Sequence, residues 1–86
     1  MGKITKDEKI CYSDWCLLHS TTKQAVGLEF GFKKSHVTFM GSKKMFTLNF
    51  LISFIKKYGA KEALRIRDFE ESIERHKKAL TEEGVI

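Results

Sequence analysis

Between Val26 and Phe32 the chain alternates: Val26, Leu28, Phe30 and Phe32 are apolar, and Gly27, Glu29 and Gly31 stand between them. A period of two is the signature of a strand with one buried face, because successive side chains on an extended backbone point to opposite sides. No other segment constrains the fold as much, since a strand needs partners and a cover. Trp15-Cys16-Leu17-Leu18-His19 is a short apolar run before it. Ser20-Thr21-Thr22-Lys23 reads as the turn between them, because hydroxyl side chains bond nearby backbone and favour reversal. Lys33-Lys34-Ser35 is the next reversal. Ser35, Val37 and Phe39 then form one face of a third strand, with His36, Thr38 and Met40 on the other. Gly41-Ser42-Lys43-Lys44 is the third turn signal. The expectation is a three-stranded antiparallel meander from Asp14 to Met40.

Helices supply the cover. Thr47 can cap a helix in which Leu48, Leu51, Ile52, Ile55 and Tyr58 recur at helical spacing, and Phe50 and Phe54 widen the stripe. Lys56 and Lys57 favour the negative end of that helix, and Gly59 stops it. Asp68-Phe69-Glu70-Glu71 opens a second helix carrying Phe69, Ile73, His76 and Leu80, which ends at Gly84. The segment 60–67 reads two ways. Ala60 to Leu64 is good helix, but Leu64 and Ile66 alternate with Arg65 and Arg67 as in a fourth strand. The fold class predicted is therefore α+β, with helices Leu48–Tyr58 and Phe69–Glu83 packed on the meander. Its core is Trp15, Leu17, Val26, Leu28, Phe30, Val37, Phe39, Leu51, Ile55, Phe69, Ile73 and Leu80. No proline linker divides the 86 residues, so one domain over 1–86 is expected, with 1–13 a loose arm.

Several function classes drop out. No apolar run approaches the roughly 20 residues a membrane span needs; the best, Phe50-Leu51-Ile52, is broken by Ser53. Met1-Gly2-Lys3-Ile4-Thr5-Lys6 lacks the apolar stretch of a secretory signal and the hydroxyl residue of a myristoylation site. A cytoplasmic protein, not associated with membranes, is expected. Cys11 and Cys16 are then two thiols in a reducing compartment. Zinc would have to draw on them with His19 and His36, but structural sites pair their ligands at shorter spacings and no second pair exists. No cofactor is expected. Catalysis would have to draw on Cys11, Cys16, Ser13, His19, His36 and His76, and no nucleophile or metal-hydrolase motif joins them. The chain reads as no enzyme.

Charge is the positive signal. Lysine and arginine number 16 against 11 acids, a net charge of +5. From Leu17 to Lys61 there are eight lysines and a single acid, Glu29, whereas the remainder to Ile86 is slightly acidic. Such a field draws phosphate backbones or acidic proteins. The expected function is a small, basic, regulatory binding module. Nucleic-acid phosphates would meet Lys23, Lys33, Lys34, Lys43, Lys44, Lys56, Lys57, Lys61, Arg65 and Arg67. One arrangement would be a helix-turn-helix over Phe50–Leu64, hinged at Gly59, with Lys61, Arg65 and Arg67 reading bases. The alternative is an inhibitor or adaptor of an acidic partner protein, bound through exposed apolar residues such as Phe54 and Tyr58.

Overall fold

The computed structural model describes residues 9–86. Seven α-helices follow one another: α1 (Tyr12–Leu18), α2 (Lys23–Glu29), α3 (Lys34–Lys43), α4 (Leu48–Tyr58), α5 (Ala60–Arg65), α6 (Glu70–Arg75) and α7 (Lys77–Glu82). A 3-10 turn at Arg67–Phe69 joins α5 to α6. No strand occurs among the described residues. The α+β meander over Asp14–Met40 is thus corrected to three helices, and the protein is a helical bundle.

The alternation at 26–32 has a different cause from the one its period suggests. Val26 is buried in α2, while Phe30 and Phe32 belong to the turn after it and pack on Phe50 at 5.5 and 5.7 Å between ring centroids. Leu28 faces outward, 51% exposed. Gly27 is in the interior, where the neighbouring helix comes too close for a side chain, and Gly31 has φ +90°. Two glycines with separate backbone duties imitate a polar face.

The flanking strands fail for a related reason. Tyr12, Trp15 and Cys16 are buried at helical spacing in α1, and Leu17 is left 74% exposed. In α3 it is Val37 and Met40 that point inward, three residues apart, and Phe39 is 52% exposed. Leu17, Leu28 and Phe39 therefore leave the expected core. Trp15, Val26, Val37, Leu51, Ile55, Phe69, Ile73 and Leu80 are buried as expected, and Phe30 is partly buried against them.

Helix α4 has the predicted bounds. The Thr47 hydroxyl accepts from the Phe50 N–H at 3.2 Å, and Gly59 follows the last turn with φ +101°. Phe50, Leu51, Phe54 and Ile55 form its buried stripe. The 60–67 segment resolves to helix through Arg65. Only Ile66 is extended, and it forms a single parallel bridge with Ile10 through Ile10 N–H to Arg65 O (3.0 Å) and Arg67 N–H to Ile10 O (2.7 Å). So no fourth strand forms. The expected Phe69–Glu83 helix is divided at His76 into α6 and α7, with its Phe69, Ile73 and Leu80 stripe intact. Of the expected arm, residues 1–8 lie outside the described residues, whereas Ile10 and Tyr12 are core.

Tyr12 sits at the centre. Its ring lies 4.8 Å from Phe69, 5.7 Å from Phe46 and 6.3 Å from both Phe50 and Phe54. Burial pushes its phenol well above the ordinary range, so it stays protonated. Aromatic pairs in tilted and edge-on arrangements add to what area burial alone supplies. This cluster is the platform on which α2 and α3 are mounted.

Candidate nucleic-acid interface

Helices α2 and α3 form a tightly joined pair. Thr22 starts α2, its hydroxyl accepting from the Ala25 N–H at 3.0 Å. The end of α2 is a Schellman motif: the Phe32 N–H reaches Gly27 O (3.1 Å) and the Gly31 N–H reaches Leu28 O (3.0 Å). That geometry needs a left-handed residue, and Gly31 provides it without steric cost. Residues 30–33 are the whole turn, and Lys34 is already the first residue of α3.

Close approach of the two helices rests on Gly27. A Cβ placed there would lie 2.3 Å from Val37 Cγ2 and 2.9 Å from Val37 Cγ1. The absent side chain lets Val37 seat against the backbone of α2. At the far end, α3 finishes with Lys44 in a left-handed conformation, φ 56°. The following link is held by buried Ser72, whose hydroxyl accepts from the Phe46 N–H (2.9 Å) and donates to Lys44 O (3.4 Å). The pair is thus fixed on both sides to the aromatic platform.

Fixing the inner face of α3 determines its outer one. With Val37 and Met40 inside, Ser35, Thr38, Phe39 and Ser42 are exposed, and their spacing of three, four and seven residues puts them on one face. Lys33 and Lys34 stand at its start, and Lys43 and Lys44 at its end, all exposed. Lys23, half-buried at the start of α2, reaches across to α3, its Nζ 3.9 Å from where a Gly41 Cβ would be. Between the two helices runs an open groove of about 520 Å³, lined by Thr22, Lys23, Gln24, Lys34, Thr38 and Ser42 among others. The one acid in α2 and α3, Glu29, is bound to the Lys57 ammonium.

The remaining expected site residues are dispersed. Lys56 and Lys61 are exposed on α4 and α5. Arg65 turns back to Glu62 at 3.3 Å, and Glu62 also accepts from the Trp15 indole at 3.0 Å. Arg67 is exposed on the 3-10 turn. The Gly59 hinge does join two helices, but α5 has six residues and α3 has ten. Phe54 is 0% exposed and offers no surface to a partner; Tyr58 is half-buried against Trp15 at 4.9 Å. His19 stacks on Trp15 at 4.0 Å and His36 abuts Phe32 at 5.3 Å, so neither converges with the cysteines. Burial pushes the Cys16 thiol up to about 11, with Lys23 offsetting part of the effect.

Ser35, Thr38, Phe39 and Ser42 are the surface residues that strand periodicity concealed. The signal available was Thr22 and Gly31, a hydroxyl cap and a stop glycine bounding a helix of seven residues. No protein-family model, no curated protein and no solved structure matches the chain.

Proposed function

We propose that the protein is a small non-catalytic DNA-binding module that lays α3 in the major groove, with α2 against the phosphate backbone. One observation carries this reading: α2 and α3 are joined by a glycine turn of four residues and locked at Gly27–Val37, while α3 keeps an exposed face of Ser35, Thr38, Phe39 and Ser42 between two lysine pairs. In a helix-turn-helix the second helix enters the groove and the first crosses the backbone. The major groove, about 12 Å wide, admits a helix. Lysines at both ends of α3 and at the start of α2 would neutralise phosphates and set the register. Such a module regulates by occupying a site. A cytoplasmic setting belongs to the same reading, supported by the two free cysteines.

Fluorescence anisotropy on short duplexes at low salt tests it. Lys33→Glu with Lys34→Glu should weaken binding by about tenfold or more, because two phosphate contacts become repulsive. Both substitutions sit at the positive end of α3, where glutamate suits the helix, so the fold should persist. Lys77→Glu with Lys78→Glu on α7 should change affinity by no more than about twofold, since acids already surround them. Absence of binding to any duplex tighter than about 10 µM at low salt overturns the proposal. Binding to an acidic protein with only mild salt dependence would favour the inhibitor or adaptor reading instead.

A further inference from the structure

The face that α3 presents is unusual in its chemistry, and it bears on which bases the protein selects. Readers of base edges are arginine or lysine for guanine, asparagine or glutamine for adenine, and carboxylates for cytosine. Ser35, Thr38, Phe39 and Ser42 include none of these, and the only such residues in α3, Lys34 and Lys43, stand at its two ends beside the phosphates. What it has is an exposed phenylalanine at its middle. Phe39 and the Thr38 methyl are adjacent, flanked one turn away by the hydroxyls of Ser35 and Ser42. Those hydroxyls pair with either donors or acceptors and discriminate little. The major groove of unmodified DNA offers one apolar group, the C5 methyl of thymine.

Resting on the major-groove reading, we propose that Phe39 is the specificity-determining residue of α3, and that it selects thymine-containing sites by contact with the C5 methyl. The lysine pairs at the ends of the helix supply affinity without regard to sequence. Charge complementarity supports nucleic acid as the occupant of this face: five lysines surround it, and Glu29 is already bound to Lys57. Thr38 extends the same apolar contact by one methyl group. Phe39 is 52% exposed and is not part of the buried core, so its removal should leave Val37 and Met40 in place.

The test uses matched duplexes of about 20 base pairs differing only in the C5 methyl. In one pair, thymine is compared with uracil; in the other, 5-methylcytosine is compared with cytosine. The wild-type protein should bind the methylated member of each pair about three- to fivefold more tightly for each methyl in contact. Phe39→Ala should bring both ratios to about one while keeping helical content and the salt dependence of binding. Phe39→Leu, which keeps an apolar tip, should retain part of the preference. Equal affinity of the wild type for both members, with lysine-dependent binding preserved, overturns the thymine proposal and leaves the DNA-binding reading standing. A methyl preference that survives in Phe39→Ala overturns the assignment to Phe39. Failure to bind any of the four duplexes overturns both.

Discussion

Gly27 and Val37 meet where there is room for one side chain. An alanine at position 27 would gain about 1 kcal/mol of helix propensity over glycine. Its Cβ would also sit 2.3 Å from a methyl of Val37, a β-branched residue with little rotamer freedom in a helix. Overpacking of this kind costs about 1–3 kcal/mol, so the clash should prevail. Gly27→Ala is expected to lower stability by up to about 2 kcal/mol net in urea unfolding. In a Val37→Ala background the two methyl contacts disappear and only a Cβ–Cβ approach of 3.1 Å remains, so the same change should cost much less than it does beside Val37. Equal stability of Gly27→Ala and wild type would show that the two helices can part without penalty. The same contact explains why the strand reading goes astray at this residue: glycine looks like a polar-face position in sequence, but here it is buried against Val37.

At the scale of elements, the number of breaks between Asp14 and Leu48 is legible, but their positions and most of the elements between them are not. The turns expected at Ser20–Lys23, Lys33–Ser35 and Gly41–Lys44 are displaced to 19–22, 30–33 and 44–47, because Lys23 begins α2 and Lys34, Ser35 and Gly41–Lys43 are helical in α3. Helices α1 and α2 have seven residues each, with two or three of them buried, too few for a 3.6-residue period to emerge. Exposed Leu17, Leu28 and Phe39 then supply apolar residues in the wrong phase. Helix α4, with eleven residues and a cap, displays its stripe openly. The lysines of the candidate site were equally visible, whereas the face between them depends on α3 being a helix. Ser72 ties these elements together, and its loss should be measurable. Alanine there would strand the buried Phe46 N–H, at a cost of about 1–3 kcal/mol. For a domain of this size that corresponds to a fall in Tm of about 5–15 °C. An unchanged Tm in Ser72→Ala would mean that the link from α3 to α4 is held by packing alone.

Over the whole molecule the charges are segregated, and the segregation sets how binding should respond to salt. Lys23, Lys33, Lys34, Lys43 and Lys44 all belong to the α2–α3 unit, while most of the acids lie from Glu62 onward, on α5, α6, α7 and the turns joining them. If these five lysines each displace a counterion from duplex DNA, log affinity should fall against log salt with a slope of about −4 to −5. That slope is a loss of several hundredfold between about 50 and 200 mM salt. Glu29 is the one carboxylate within the unit, and it occupies Lys57, whose ammonium also lies 5.2 Å from the Tyr58 ring centroid. Glu29→Gln removes that negative charge and releases Lys57, adding up to one phosphate contact. The variant should bind duplex DNA about two- to fivefold more tightly at low salt, with a slope steeper by up to about 0.9. The gain should vanish by about 0.5 M salt, where screening shortens the reach of each charge to a few ångströms. A Glu29→Gln variant with wild-type affinity and slope would place the bound phosphates away from α2 and α3. The exposed lysines of α4 and α5, Lys56 and Lys61, would then be the next to change.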